Sequence, residues 1–259
     1  MEYELPSYLE EPVKELATPV AKEAGTTIGD LWFLALGGIS QKANLRRAKY
    51  AYELEKYRKE LEAELNAVPE EKRIEPNTQV VMNALTDSQS CVEEETLRSM
   101  FAKLIASACN EDTASKVHPS FSGIIKQMSP TDAMLLKIFT VKENSPLVNI
   151  KMNFLDEPGE FNAYKNVIFP DSSLISLEDQ AASVDCLSMH GLVSVATDAH
   201  LVDDSKYAPF EEMHEYLQLK QSNTVEFFTG EKRKLEKVYL ERGIISLTDF
   251  GRRFLHTCM

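Results

Sequence analysis

The chain has 259 residues, of which 43% are hydrophobic and 27% are charged, with 10 Gly and 11 Pro. These proportions are typical of a folded protein and exclude a collagen-like repeat, a low-complexity filament and an intrinsically disordered chain. The net charge of −13 at pH 7 disfavours broad electrostatic binding to nucleic acid, because the surface repels phosphate groups on average.

The N-terminal third of the chain predicts three helices. An amphipathic pattern covers residues 11–23, and the most apolar segment, 31–39, follows a cap at Thr26 or Thr27. Nine residues of helix rise only about 14 Å, so this segment is too short to span about 30 Å of hydrocarbon. The strongest helical pattern covers 41–67, where apolar residues recur at spacings of three and four: Tyr50, Leu54, Tyr57, Leu61 and Leu65.

The middle of the chain also predicts helices, over 78–86 and 92–110. The second opens with Ser90 and Glu93 at the spacing of a capping box. A short helix is predicted after His118, whose imidazole is expected to cap it or to bond across the core. A further helix begins at Pro130 and is capped by Ser129.

The C-terminal part mixes strands and helices. We predict a strand over 148–154, a loop over 156–173, a helix from a Ser176 cap to Gly191, and a strand over 192–195. After an insertion over 203–230 with a helix at 209–221, two strands over 237–240 and 244–247 are predicted to turn at Arg242 and Gly243. A helix capped by Thr248 then closes the chain.

This order of elements is typical of a winged helix. We therefore predict a mainly α fold with a helical domain over 1–112 and a winged-helix-like α+β domain over 119–259. The loop 156–173 and the segment 203–230 are treated as insertions in the second domain.

No catalytic, metal or cofactor pattern stands out in the sequence. The Cys186–His190 spacing permits a thiolate–imidazolium couple, but a core thiol beside a helix-terminal histidine explains it more simply. His256 and Cys258 form a weak metal pair, and Gly37-Gly38 lacks the rest of a phosphate-binding loop. We therefore expect no enzyme activity, no cofactor and no metal.

The cellular compartment is predicted from the four cysteines and from residues 1–6. The four cysteines lie far apart without a CxxC pair, and residues 1–6 are acidic and unlike a secretory signal. We expect reduced thiols and a cytoplasmic protein, with peripheral association with the inner membrane as the alternative.

Two surfaces are candidates for binding. The first joins the apolar segment to a basic helix, because seven basic and two acidic residues lie between 42 and 59; its members are Leu31, Trp32, Phe33, Arg46, Arg47 and Lys49. In some proteins such a combination anchors the chain on anionic lipid. In others the aromatic residues are buried in the core and the charged residues face solvent.

The second candidate surface is the predicted wing, with Lys232, Arg233, Lys234, Lys237 and Arg242. The segment in the recognition-helix position carries Glu178, Asp179 and Asp185 without Lys or Arg, so we do not expect nucleic acid as the main partner.

Five short phrases resemble the bacterial abortive-infection alpha family. They are VKELATPVAKE at 13–23, LGGI at 36–39, VHPSF at 117–121, SPTDA at 129–133 and LTDFG at 247–251. The resemblance implies a bacterial or prophage protein of phage defence, in which infection is aborted by stopping or killing the infected cell. It brings no active site with it.

The sequence thus predicts a non-enzymatic phage-defence protein that acts through contacts with a host or phage protein, or with a second copy of itself. Two alternatives stay open: a membrane-associating effector that uses 31–59, and a winged-helix DNA-binding regulator.

Overall fold

The computed structural model describes residues 44–227 and 229–259. The predicted helices over 11–23 and 31–39, with Leu31, Trp32 and Phe33, lie outside the described residues, as do the side chains of Arg46 and Arg47. The part that is described contains ten α-helices and a five-stranded antiparallel sheet, so the fold is α+β with much helix.

The contacts divide the chain into two compact units. Unit 1 holds the described residues up to Pro130 together with Arg252–Met259, and unit 2 is Thr131–Gly251. The domain boundary that the sequence predicts between residues 112 and 119 remains a prediction.

Unit 1 is helical. Its elements are α1 (Asn44–Ala67), α2 (Thr78–Ser88), α3 (Glu95–Ala108), α4 (Glu111–Ala114) and α5 (Phe121–Gln127), with a 3-10 turn at Glu70–Lys72. It also contains the start of α6 (Pro130–Leu136) and most of α10 (Asp249–Cys258). The long helix predicted over 41–67 is confirmed over its described part and ends at Ala67, before Pro69.

The core of unit 1 follows the predicted apolar spacing. Leu54, Tyr57 and Leu61 of α1 are buried, and α1 packs against α3, which buries Phe101 and Leu104. An apolar residue at every third or fourth position places one face of each helix toward the other. The predicted stripe is confirmed at these three residues of α1, whereas Tyr50 and Leu65 are half-buried.

The capping box predicted at Ser90 and Glu93 is wrong. The helix α3 begins at Glu95, and no side chain caps it. The Ser90 hydroxyl instead donates to the carbonyl of Asp87 at 3.0 Å, in the last turn of α2. Cys91 and Val92 are buried in the connecting turn, so packing rather than capping determines where α3 starts.

Unit 2 is built on the antiparallel sheet. The strands are β1 (Asn144–Phe154), β2 (Phe161–Val167), β3 (Val193–Ala196), β4 (Thr224–Glu226) and β5 (Lys232–Leu247). Their order is β2-β1-β5-β3, and β4 pairs with the first residues of β5. Around the sheet lie α7 (Leu177–Met189), α8 (Ala208–Glu211) and α9 (His214–Gln221).

The loop predicted over 156–173 is wrong in its centre, because β2 lies there. The segment carries three polar residues and little apolar alternation, which is why it resembles a loop in sequence. Pairing with β1 and packing under α7 order it as an edge strand. Within it, Asn166 has a φ of 55° and its backbone N–H donates to the Asn149 side chain at 2.8 Å.

The turn predicted at Arg242 and Gly243 is also wrong, because β5 continues through both residues. A Cβ on Gly243 would lie 2.7 Å from the carbonyl oxygen of Ala196, so the glycine allows β3 to approach closely. The hairpin turn lies instead between β4 and β5, where Gly230 has a φ of +79°. The glycine at 243 therefore reflects a close contact between two backbones rather than a turn.

Several predicted boundaries are confirmed by hydrogen bonds. The Ser176 hydroxyl accepts from the Asp179 N–H at 3.0 Å and caps α7, which ends before Gly191 at a φ of 69°. The Thr248 hydroxyl accepts from the Gly251 N–H at 2.8 Å and caps α10. Local hydrogen bonds of the cap residues and the backbone conformation of Gly191 therefore determine where these helices begin and end.

The segment 203–230 contributes to the core of unit 2. Its buried side chains Tyr207, Phe210 and Met213 pack against Val148 and Ile150 on one face of the sheet. The Tyr207 hydroxyl donates to the Gly243 carbonyl at 2.7 Å and accepts from the Leu201 N–H at 2.9 Å. This segment therefore covers the apolar face of the sheet.

Candidate functional site

The described basic residues of α1 have carboxylate partners. Lys49 lies 2.5 Å from Glu93, and Arg58 contacts both Glu55 and Glu62 at 2.7 Å. Lys56 and Lys59 pair with Glu53 and Glu55 in the same helix. The excess positive charge of this part of the sequence is therefore locally neutralised over the residues whose side chains are described.

A buried ion-pair network joins α1 to α3. The Arg98 guanidinium is only 3% exposed and donates to the Glu60 carboxylate at 2.7 and 3.0 Å, to Glu53 at 2.9 Å and to the Val92 carbonyl at 2.9 Å. Three acceptors satisfy the charge, as burial requires. Sequence reasoning missed this network, because its members are 38 and 45 residues apart.

The basic residues predicted for the wing lie along β5. Lys232 pairs with Glu226 at 3.1 Å, and Arg242 pairs with Asp204 at 2.8 Å and with Glu211 at 3.1 Å. Arg233 contacts Glu157 and Glu231, and its guanidinium lies 5.1 Å from the ring centre of Phe227. Lys234 and Lys237 are exposed, and the Lys237 ammonium lies 4.8 Å from the ring of Tyr239. Most of these cations are thus already paired.

The Cys186–His190 pair does not carry an activated thiol. Burial, with a smaller effect from the neighbouring Asp132, raises the pKa of Cys186 to about 11. A thiol with that pKa is protonated at neutral pH and is a poor nucleophile. The buried Nε2 of His190 has no hydrogen-bond partner among the described residues.

The histidines and thiols near the other predicted positions have structural contacts. His118 accepts the Ser120 N–H at 3.2 Å just before α5, but no side chain caps that helix, so the predicted cap is not formed. His256 bonds to the Lys116 ammonium at 2.9 Å, and burial raises the pKa of Cys258 to about 12. Over the described ranges, no group of three His, Cys, Asp or Glu side chains converges as a metal site would.

Unit 1 contains an open groove of about 300 Å³ that the sequence did not predict. Three helices end at it, since its lining includes the last turns of α1, α3 and α10. The lining residues are Glu64, Ala67, Val68, Lys103, Ala106, Ser107, Asn110, Thr113, His256, Thr257 and Met259.

Hydrogen bonds fix the wall of this groove between α3 and α10. The Ser107 hydroxyl donates to the Thr257 carbonyl at 2.9 Å, and the Thr113 hydroxyl donates to the Ser107 carbonyl at 2.8 Å. The Lys103 ammonium donates to the Met259 carbonyl oxygen. These bonds satisfy carbonyls that a helix C-terminus otherwise leaves unpaired. No local pattern indicates the groove, because its walls come from segments about 190 residues apart in sequence.

The two units, with their structural ion pairs and the groove, define a helix-rich α+β protein. A family model described as abortive infection alpha matches residues 49–258, and the chain belongs to that family. Membership points to a role in abortive infection, that is, in phage defence. Searches of curated proteins and of solved structures found no match. Among the described helices, none combines the length and apolar character needed to cross a bilayer.

Proposed function

We propose that this protein defends bacteria against phage by abortive infection and acts through contacts with a host or phage protein, without catalytic turnover. Family membership supports the defence role. The preference for protein contacts depends on one observation, the pairing of cations with carboxylates on α1 and β5. A surface of mixed, paired charges favours a complementary protein surface over a polyanion, because phosphate binding needs unpaired Lys or Arg.

The defence role is tested by infection. Cells that express the full chain should show fewer plaques than cells with an empty vector, and an infected culture should stop growing before it releases phage. Equal plaque numbers with and without the protein, over a panel of phages, would contradict the defence role.

The contact mechanism is tested by direct binding. A partner recovered with the tagged full chain only after infection should be purified and should bind the purified protein at a fixed stoichiometry. Charge reversal at Arg46 and Arg47 and charge reversal at Lys232 and Lys234 form a matched pair of variants. Loss of binding in one pair alone would identify the surface, whereas a reaction product formed by the purified protein would overturn the mechanism.

A winged-helix DNA-binding role for the segment 119–259 is the second proposal. It is favoured by the succession of α7, β3, the β4–β5 hairpin and α10, and by the exposed Lys234 and Lys237. A mobility-shift assay at ~50 mM salt tests it, since phosphate contacts are strongest there. Absence of a complex at that salt concentration would remove this role.

Association with the inner membrane through 31–59 is the third proposal, within an otherwise cytoplasmic location. Its apolar stretch 31–39 lies outside the described part of the chain, so this proposal depends on the sequence pattern alone. Flotation with anionic liposomes at low salt should retain the protein, and replacement of Trp32 and Phe33 by serine should abolish retention.

A further inference from the structure

The strand β5 has a gap in the pairing along one of its two edges. One edge pairs with β1 over most of its length. On the other edge β4 pairs with residues 232–234 and β3 pairs with residues 244–247. Over the described part of the chain, no strand lies beside residues 235–243 on that edge, which we call the β5 gap. A strand of that length extends about 30 Å, so the β5 gap has room for an extended segment of about five to seven residues.

The direction of the backbone groups in the β5 gap follows from hydrogen bonds at one of its ends. The Leu247 N–H donates to the Glu143 carbonyl on the β1 side at 2.9 Å, and the Thr248 N–H donates to the Leu192 carbonyl on the β3 side at 3.1 Å. Bonds to one neighbour recur at every second residue of an antiparallel strand. The odd-numbered residues from 239 onward therefore bond to β1. The even-numbered residues direct their N–H and C=O groups into the β5 gap, and these residues are Val238, Leu240 and Arg242.

This edge is open to a ligand. The N–H and C=O groups of Val238, Leu240 and Arg242 have no hydrogen-bond partner among the described residues. A buried backbone group is nearly always paired within the protein, so unpaired groups indicate access from outside. In agreement, no residue over 236–242 is buried. An open strand edge of this kind is a template for an added strand.

The core face of the β5 gap favours apolar side chains on the added strand. Val238 and Leu240 are partly buried and pack against the core cluster of unit 2, as Leu201 and Leu219 also do. Side chains of residues directly opposite each other in a sheet point to the same face. Alternate residues of the added strand would therefore lie beside these apolar side chains.

The charges beside the β5 gap favour basic residues on the added strand. Two ion-pair clusters involve residues of β5, one on each face of the strand, and each has one cation and two carboxylates. The clusters are Arg242 with Asp204 and Glu211, and Lys151 with Glu160 and Glu241. Because each cluster has an excess of one negative charge, a segment with cationic side chains complements them.

The length of the β5 gap excludes pairing with the β5 of a second copy. That strand has 16 residues, so it would overlap β3 and β4 at the two ends of the same edge. The segment that fits is short and is flanked by chain that leaves the sheet.

We propose that a partner protein adds a short extended segment of alternating apolar and basic residues to β5, between β3 and β4. This proposal rests on the proposed contact mechanism, to which it assigns a surface. Peptide binding is measured on the purified chain without phage, so its failure is distinct from a failure of defence in infected cells.

The probe is the peptide acetyl-TVKVKVT-amide, added to the full-length protein. Its three valines would lie opposite Val238, Leu240 and Arg242, and its lysines would lie on the face of Glu241. We expect a dissociation constant of ~1 mM or tighter by NMR titration. Amide hydrogen exchange at Val238, Leu240 and Arg242 should be fast in the free protein and slow with the peptide. Absence of shifts and of added protection at ~5 mM peptide would overturn the proposal.

Two matched peptides separate backbone pairing from charge. N-methylation of the three valines removes the N–H groups that face β5 and should weaken binding about tenfold or more. Replacement of both lysines by glutamate should weaken binding about fivefold at low salt, and the difference should shrink as salt is raised. Equal binding of the parent and the N-methylated peptide would overturn strand addition, and equal binding of the glutamate peptide would overturn the choice of a basic segment.

A pair of protein variants locates the site. Glu241→Gln should weaken binding of the lysine peptide about threefold and leave binding of the neutral peptide acetyl-TVSVSVT-amide unchanged, which shows that the edge is intact. Glu178→Gln changes the net charge equally in α7 and should bind both peptides like the parent protein. Equal loss of lysine-peptide binding in the two variants would show a non-specific effect of net charge and overturn the proposed site.

Discussion

The Arg98 guanidinium and the Glu60 carboxylate form a paired contact, with Nη2 2.7 Å from Oε1 and Nε 3.0 Å from Oε2. The arginine is buried, whereas Glu60 is about one-third exposed. A bidentate pair of this kind joins α1 to α3 in a fixed register. The absence of either partner would leave the other without its main counter-charge.

Replacing Arg98 by methionine should lower the free energy of unfolding by about 3 kcal/mol, because Glu53, Glu60 and the Val92 carbonyl lose their common donor. The control is Arg58→Met in α1, which removes more exposed pairs with Glu55 and Glu62 inside that helix and should cost only about 0.5 kcal/mol. Urea unfolding followed by circular dichroism measures both. Equal losses of unfolding free energy in the two variants would show that the burial of Arg98 adds nothing to the stabilising effect of its ion pairs.

The thiol of Cys186 should react slowly near neutral pH. Its pKa is raised to about 11 by burial and by Asp132, so the rate of alkylation should keep rising with pH beyond about pH 9. Asp132→Asn should move the rise to lower pH, since loss of the negative charge favours the thiolate. Iodoacetamide labelling with mass spectrometry of the Cys186 peptide measures the rate. A plateau below about pH 8 would instead indicate an activated thiolate.

Stability should fall in alkali. Burial raises the pKa of Cys109 and of Cys258 from 9.0 to about 12, so the unfolded thiols ionise first as the pH rises. The raised pKa values therefore stabilise the folded state below pH 9, and this contribution is lost progressively between 9 and 12. Each thiol contributes at most about 1.4 kcal/mol per pH unit.

The measurement is urea unfolding at about pH 8 and about pH 10.5. The double variant Cys109→Ala/Cys258→Ala should lose less stability between these values than the parent, whatever its stability at pH 8. An identical pH dependence in both proteins would show that the buried thiols do not cause the decline.

Two glycines should respond to alanine in opposite directions. A Cβ on Gly251 would lie 2.0 Å from the Leu192 carbonyl oxygen, so Gly251→Ala should cost about 3 kcal/mol and displace the start of α10. Gly123 lies in α5 with nothing within 4 Å of its Cβ position, so Gly123→Ala should stabilise the protein by about 1 kcal/mol. Thermal melting of both variants tests the pair, and an unchanged melting temperature for Gly251→Ala would contradict the close approach.

The helices were largely predictable because their signals are local. The three- and four-residue spacing in α1, the Ser176 cap and the Thr248 cap each act within one or two turns of chain. The sheet was less predictable. Asn149 bonds to Glu241 across 92 residues, and neither position has a local pattern that indicates its partner.

The polar composition of β2 and the glycine in β5 show why the sheet was partly mispredicted. The predictions for these two strands used only their own residues. The conformation of β2 depends on its contacts with β1 and α7, and that of β5 at the glycine depends on its pairing with β3. The same reason applies to the groove, because Glu64 and Thr257 become neighbours only when α1, α3 and α10 pack together. Arg98 similarly shows no sign in the sequence that it will be buried.

By itself, the amino-acid sequence determined the family of this protein, the positions of most helices and the caps that end them, because these depend on short-range spacing and on local hydrogen bonds. Only the tertiary structure decided which charges are paired, which strand runs unbroken and where three helix ends meet beside Glu64. Those features depend on contacts between residues distant in sequence, and the free energy of such contacts is decided by burial and geometry that no single segment contains.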